Sequence, residues 1–275
     1  MINYIISELR GFYPEEELRE LAYWIIEEST GMTRTQILTD CKDTQNISNM
    51  EIILQKLRAH EPIQYIFGHT EWMGLDLRVT PATLIPRPET AELVEWILQV
   101  GDRDKPLKVL DIGTGSGCIA IALKKAAPHW QVTGLDISEE ALAVAKENAT
   151  RNKVEVNWLQ ADILSPIANS SLPIADIIVS NPPYVTESEK AFMRSNVLDH
   201  EPHLALFVPD DDPLLFYRAV AQWTLQLLKP GGFGIVEINE ALGEDTAEIY
   251  RRYGFSAVTI IKDLNDKDRF VSFRR

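Results

Sequence analysis

The chain runs to 275 residues, 45% of them hydrophobic, enough to bury a substantial core in one large domain or in a large and a small one. Its 27 Lys and Arg against 41 Asp and Glu leave a formal net charge of −14, which disfavours a surface that tracks nucleic-acid phosphates, where clustered Lys and Arg are needed. No apolar run approaches the roughly 20 residues that span a bilayer, no basic-then-apolar signal segment opens the sequence, and two distant cysteines, Cys41 and Cys118, argue against a disulfide framework, so a soluble cytoplasmic protein is expected.

Residues 1–60 read as helices. Pro14 followed by Glu15-Glu16-Glu17 places proline in a first turn and acids at the positive end of the dipole, and Leu18, Leu21, Ala22 and Ile25 follow at helical spacing up to Gly31. Ser48 and Glu51 have capping-box spacing ahead of the apolar stripe Met50, Ile53, Leu54 and Leu57. This module is either a packing unit with solvated acidic faces or a recognition unit for a partner. From Pro62 to Val79 the pattern turns to alternation broken by Gly68 and Gly74, which predicts a short β-hairpin. Arg87 lies between Pro86 and Pro88; it is a structural ion-pair partner or a substrate clamp, and the prolines that fix its direction favour the clamp. A helix with the apolar face Ala91, Leu93, Val94, Ile97 and Leu98 follows.

From Leu107 strands and helices alternate, the signature of a parallel sheet covered on both faces. The strand Val109–Ile112 runs into Gly113-Thr114-Gly115-Ser116-Gly117 and a helix from Cys118. Glycines let a backbone approach a ligand closely. The spacing is GxGxG rather than GxGxxG, with Cys118 where a dinucleotide fingerprint wants Gly or Ala, so a pyrophosphate seat is missing. A second strand, Gln131–Ile137, brings Asp136 to its end, where a carboxylate can accept both ribose hydroxyls. A third, Val154–Gln160, leads to Asp162, which can accept from an adenine amino group. Each acid read alone can equally be a solvated strand end.

The fourth strand, Ala175–Ser180, stops at Asn181-Pro182-Pro183-Tyr184. Two prolines stiffen the chain just after Asn181. Read alone, the segment is a strand-ending turn with Asn as an Asx-type cap, or a docking site where Asn181 Oδ1 and the Pro182 carbonyl accept both hydrogens of one planar NH2 group under the Tyr184 ring. If the first and fourth strands flank the switch point of a doubly wound sheet, the glycine loop and Asn181 share one crevice. A nucleoside-bearing donor without a pyrophosphate, facing a planar nitrogen, points to S-adenosylmethionine. That nitrogen belongs to an amide or to an amino-aromatic group; if to an amide, two acceptors that orient it remove the need for a strong base before transfer, and no spare base is apparent. His200, Glu201 and His203 lack the i, i+4 spacing of a zinc helix, and Pro202 intervenes, so no metal is expected. The remainder predicts a helix Pro213–Leu228, a turn Lys229–Gly232, a strand Phe233–Ile238, a helix Glu240–Tyr253 and a final antiparallel pair, Ala257–Lys262 and Arg269–Phe273.

Asp111-Ile-Gly-Thr-Gly-Ser-Gly117 with Asn181-Pro-Pro-Tyr184 resembles the class I S-adenosylmethionine-dependent methyltransferases that act on planar nitrogens. Pro62-Ile-Gln-Tyr-Ile-Phe-Gly68, Leu84-Ile-Pro-Arg-Pro-Glu-Thr90 and Glu201-Pro-His-Leu-Ala-Leu206 resemble, more narrowly, the HemK/PrmC family, which methylates N5 of the glutamine in the Gly-Gly-Gln motif of peptide-chain release factors. The resemblance implies an α/β fold: a Rossmann-like, mostly parallel sheet (89–275) behind a helical substrate-recognition domain (1–70) and a hairpin linker (71–88). It implies that Gly113, Thr114, Gly115, Ser116 and Gly117 line the methionine part of the cofactor, Asp136 binds ribose and Asp162 with Ile163 borders adenine. Asn181, Pro182, Pro183 and Tyr184 would hold the glutamine, with Asn181, Pro182 and Tyr184 as the catalytic set and Arg87 as a further substrate contact. The implied partners are class 1 release factors met by a monomer, with no direct nucleic-acid contact and no membrane. Near alternatives are a ribosomal-protein glutamine methyltransferase and an adenine-N6 nucleic-acid methyltransferase; acidity counts against the second. A cofactor-binding protein without catalysis is disfavoured by the intact Asn181 and glycine loop. The chain departs from the family pattern at Ala91, where Glu is common, and at Phe207–Pro213, where a Gly-rich segment is usual.

Overall fold

A computed structural model describes residues 1–39, 47–167 and 172–275; Cys41 lies outside them. The chain forms two compact units, Met1–Gly68 with Arg194–His200, and His69–Met193 with Glu201–Arg275.

The first unit is helical: α1 (Ile2–Leu9), α2 (Glu15–Thr30), α3 (Arg34–Thr39), α4 (Met50–Arg58) and α5 (Ile63–Phe67). Leu18, Ala22, Ile25 and Ile26 of α2 meet Ile53, Leu54 and Leu57 of α4 in a buried core. Gly31 ends α2 in the left-handed region at φ 71°, where only glycine is free of a Cβ penalty. The Ser48–Glu51 capping box does not form: α4 starts after Asn49, which puts Glu51 one position too early, and its carboxylate pairs with Arg58 instead. Tyr65-Ile66-Phe67 also differs from expectation, belonging to α5 rather than to the hairpin.

The second unit opens with that hairpin, β1 (His69–Trp72) and β2 (Leu75–Arg78). Its two-residue turn places Met73 at φ 51° and Gly74 at φ 69°, the geometry whose twist matches the flanking strands. Trp72, Leu75 and Leu77 are buried in the same core as α6 (Pro88–Val100). Then come β3 (Lys108–Ile112), α7 (Cys118–Ala126), β4 (Gln131–Asp136), α8 (Glu139–Arg151), β5 (Asn157–Gln160), β6 (Ala175–Ser180), β7 (Val185–Thr186), α9 (Ser195–Leu198, folded with the first unit), β8 (Phe207–Val208), α10 (Leu215–Leu227), β9 (Leu228–Glu237), α11 (Gly243–Arg252), β10 (Ser256–Lys262) and β11 (Asp268–Arg274). Seven strands make one sheet in the order β10-β11-β9-β6-β3-β4-β5. It is parallel from β9 to β5, with β11 antiparallel to both β9 and β10.

Side chains alternate across this sheet as the pleat requires. Val109, Ile177, Val179 and Ile235 face a core with α6 and α7, while Leu110, Ile178 and Val236 face α10 and α11. This is the doubly wound α/β architecture, with β3 and β6 side by side at its centre. Three expectations are corrected at the margins. The third strand pairs only from Asn157, because Val154 N–H still closes the end of α8 on Ala149. Residues 229–232 are not a turn before the strand but a bulge within β9, between the pairs Ala175–Leu228 and Ile177–Phe233, held where Lys229 Nζ meets Asp176 at 2.7 Å. The tenth helix begins at Leu215, two residues later than expected. The departing segment Phe207–Pro213 packs against residues 185–190: Phe207 and Val208 pair with β7, Lys190 caps the Phe207 ring and Asp210 accepts from Ser188 N–H.

Candidate active site

The carboxyl ends of β3, β4 and β6 surround a cavity of about 370 Å³, lined among others by Gly113, Thr114, Gly115, Ser116, Asp136, Asp162, Ile163, Asn181, Pro182, Pro183 and Arg87. Central parallel strands diverge at the point where order reverses, so the crevice is a product of topology. Gly117 and Tyr184, also expected at the site, do not form its wall.

On the β3–β4 side the glycine loop holds itself open. Gly113, Gly115 and Gly117 have φ of 73°, 54° and 80°, a run that residues with a Cβ resist. A Cβ on Gly117 would stand 2.9 Å from Trp158. The amides of Gly113 and Thr114 both donate to Leu135 O, Gly117 N–H donates to Thr114 O, and Gly115 N–H donates to Asp136 Oδ2 at 2.8 Å. Those donors are spent inside the protein and unavailable to a pyrophosphate. Asp111, fully buried beneath the loop, accepts the Thr114 hydroxyl on Oδ2 at 2.6 Å while its Oδ1 has no partner. Burial pushes the Asp111 carboxyl up to about 7. Asn148 supports the loop from outside: its Nδ2 donates to Ser116 O and to Arg78 O, and its Oδ1 accepts from Arg78 N–H. Burial likewise raises Asp136, whose oxygens accept from Gly115 and Ser138 N–H. Asp162 is fixed at the opposite rim by Leu164 N–H and the Ser165 hydroxyl. A loop held at positive φ by three glycines, an oriented carboxylate at a strand end and the apolar walls Leu135, Ile137 and Ile163 fit a nucleoside carrying a short tail.

The β6 side carries acceptors. A Cβ on Gly113 would lie 3.9 Å from the Asn181 carbonyl oxygen, so the loop and the Asn-Pro-Pro turn meet at one place. Asn181 Nδ2 donates to Thr90 Oγ1 at 3.2 Å, and Thr90 in turn donates to Glu237 Oε2 at 2.7 Å. Thr90 has one proton and gives it to a carboxylate, so toward Asn181 it offers only a lone pair. That pins the Asn181 NH2 inward and leaves Oδ1 for a ligand. Tyr184 points away from the cavity, donating its hydroxyl to the other Glu237 oxygen at 3.0 Å. Pro182 and Pro183 contribute walls in its place.

Arg87 reaches the cavity and is also an ion-pair partner: its Nη2 meets Glu201 Oε1 at 2.6 Å, and Glu201 Oε2 accepts from Ile85 N–H. Glu201 is thereby spent on the Ile85–Arg87 segment. Among the described residues no three His, Cys, Asp or Glu side chains are placed to hold a metal, and none of the helices found there is long and apolar enough to cross a membrane. Asn148 and Glu237 carry no signal in the sequence, and Thr90 and Glu201, though part of the Leu84–Thr90 and Glu201–Leu206 motifs, carry none for these roles, because each acts on a partner 32 to 147 positions away. Cys118 is a buried thiol pushed up to about 12 by desolvation, inert packing for α7.

Comparison with known proteins adds two family models, the PrmC N-terminal domain over residues 1–68 and the methyltransferase small domain over residues 93–202. A release factor glutamine methyltransferase of Bacteroides thetaiotaomicron is 45% identical over 99% of this chain and 98% of its own. One from Flavobacterium psychrophilum is 42% identical over 97% and 95%. Among solved structures, a methyltransferase from Pyrococcus furiosus superposes with a TM-score of 0.55 at 19% identity, covering 82% of this chain and 98% of its own. A human methyltransferase 10 domain containing protein gives 0.52 at 17%, covering 73% and 90%. At such identities these two likenesses concern the fold.

Proposed function

This chain belongs to the family of release factor glutamine methyltransferases, and from that premise we propose how its cavity performs the transfer. The enzyme is an S-adenosylmethionine-dependent protein-glutamine N5-methyltransferase acting on release factors; the glutamine is that of the Gly-Gly-Gln motif of class 1 factors. When bound, S-adenosylmethionine supplies an electrophilic methyl group on its sulfonium. Asp136 would hold the ribose, Asp162 and Ile163 would border the adenine, and Gly113–Ser116, kept in shape by Gly117, would receive the methionine end next to Asn181.

The glutamine amide is a weak nucleophile because its lone pair is delocalised into the carbonyl. Asn181 Oδ1 and the Pro182 carbonyl accept one N–H each, which fixes the nitrogen and favours lone-pair density out of the amide plane, toward the donor. No base is required first, since an N-methylated, protonated amide is a strong acid that gives its proton to water. Pro183 stiffens the turn, Tyr184 anchors it from behind, and Arg87 faces the substrate backbone from a position fixed by Glu201. The observation that carries this reading is the Asn181 amide, whose NH2 is engaged by Thr90 and whose oxygen is left for a donor. The N-terminal helical unit is the substrate-recognition module, and the enzyme works in the cytoplasm as a monomer without direct nucleic-acid contact.

The test is incubation of purified release factor with methyl-labelled S-adenosylmethionine and mass spectrometry of the product. One methyl on the Gly-Gly-Gln glutamine is expected. Label confined to a ribosomal protein or to DNA overturns the substrate assignment.

A further inference from the structure

Glu237 closes β9 as a carboxylate 1% exposed, with Thr90, 2% exposed, pressed against it from α6. Burying a charge is costly unless it is well used, and here both oxygens accept: Oε2 from Thr90, Oε1 from Tyr184. We propose that Glu237 is a positioning residue for methyl transfer, setting through the Thr90 hydroxyl which end of the Asn181 side-chain amide faces the substrate nitrogen. The inference rests on Asn181 being the acceptor for the glutamine amide.

The logic is one of donor counting. A carboxylate only accepts, so it draws protons from Thr90 and Tyr184 alike. Thr90 can then only accept from Asn181, and Oδ1 must face outward. Glutamine at 237 brings an NH2 group into the same space. If that group donates to Thr90, the threonine proton turns to Asn181, the amide reverses, and an NH2 meets the substrate's NH2. Two donors then face each other where a donor–acceptor pair is needed. Tyr184 supplies the second anchor: its hydroxyl donates to Glu237 Oε1 while Asn181 reaches Oε2 through Thr90, so the Asn-Pro-Pro-Tyr turn is tied to one carboxylate from both ends.

The surroundings distinguish this from a role in folding alone. Glu237 faces Glu89 on α6, Cys118 on α7, Tyr184 after β6, Tyr217 on α10 and Arg269 on β11. Burial raises its carboxyl above the ordinary range even beside Arg269. The ionised form therefore costs stability in exchange for orientation, a trade found at functional sites. As pH falls and Glu237 gains a proton, it becomes a donor itself and the orientation is lost, which gives the transfer rate an acid limb.

The experiment measures methylation of release factor by the wild type, Glu237→Gln, Thr90→Val, Thr90→Ser and the Glu237→Gln/Thr90→Val pair, with calorimetric cofactor affinity and Tm for each. Glu237→Gln and Thr90→Val are expected to lower kcat on the order of 10- to 100-fold, the scale of misoriented polar groups. Cofactor Kd stays within about twofold, and the double variant is no slower than the slower single one, as for residues acting as a unit. Glu237→Gln keeps or raises Tm at pH 8 and loses the acid limb, while Thr90→Ser restores most of the rate. An undiminished kcat in both single variants overturns the proposal, as does additive loss in the double variant or a Thr90→Ser enzyme as slow as Thr90→Val. Should Glu237→Gln not fold, the Thr90 pair decides. A wild-type enzyme that leaves the glutamine unlabelled sinks the substrate reading itself, whereas rate loss in Asn181→Ala but not at 237 or 90 sinks only this inference.

Discussion

Two neighbouring carboxylates at strand ends, Asp111 and Asp136, illustrate how position sets a residue's work. Asp136 borders the cavity and holds two backbone amides; Asp136→Ala removes both the proposed ribose acceptor and the loop's tether. Calorimetry should show cofactor binding at least tenfold weaker, and an unchanged Kd would refute the ribose assignment. Asn181→Ala should do the reverse, lowering kcat about 100-fold or more with cofactor Kd preserved, if its oxygen acts on the nitrogen during transfer as proposed. Asp111 works beneath the surface. Its folded pKa, raised by burial to about 7 from 3.8, means the native state holds a proton that the unfolded chain gives up. The stability it contributes is present below the unfolded value and is lost as pH rises through the folded one. The Tm advantage of Asp111→Asn over wild type should therefore grow from about pH 4 to pH 7 and level off above; a pH-independent difference would show that Asp111 is ionised throughout.

At the scale of elements, the hairpin, α8 and the glycine loop are joined by Asn148, which is fully buried and satisfies Arg78 N–H, Arg78 O and Ser116 O. Asn148→Ala leaves those backbone groups unpaired, each carrying a penalty of about 1–3 kcal/mol where water cannot enter. We expect a lower denaturation midpoint together with weaker cofactor binding; a loss of stability with unchanged Kd would mean the loop keeps its shape without the tie. Sequence reading could find the loop and Asp136 because glycine spacing and strand periodicity are local patterns. It found Asn181 because two prolines are a local oddity. It could not find Asn148 or Glu237, nor the role of Thr90 inside the motif that ends on it, since nothing near them in the chain marks the distant polar groups they meet once the sheet has formed. The misplaced capping box at Ser48 and the bulge at Lys229–Gly232 were missed for the opposite reason: local rules fix which residues cap or turn, while tertiary pairing fixes by one or two positions where they do it.

For the whole molecule the governing quantity is charge. A net −14 persists despite many surface ion pairs, such as Arg10–Glu15 and Arg34–Glu20 in the N-terminal unit, because pairing redistributes charge without removing the excess. Exposed pairs of this kind add little stability, about 0–1 kcal/mol, so the excess acid matters chiefly for encounter. Residues 1–75 carry six basic against twelve acidic side chains, and the module assigned here to substrate recognition shares the sign of the rest. An acidic enzyme draws a protein with a basic docking surface, and that attraction acts over a Debye length that shrinks from ~30 Å at 0.01 M salt to ~8 Å at 0.15 M. Steering of this kind speeds association more than it strengthens the bound state. Hence kcat/KM for release factor should fall severalfold as salt rises from about 20 to 300 mM, while kcat at saturation stays level, because the proposed transfer step relies on short hydrogen bonds inside the cavity, where salt screens little. A kcat/KM insensitive to salt would place recognition in apolar contacts instead. A kcat that falls in parallel would mean that salt reaches the oriented Asn181 amide itself.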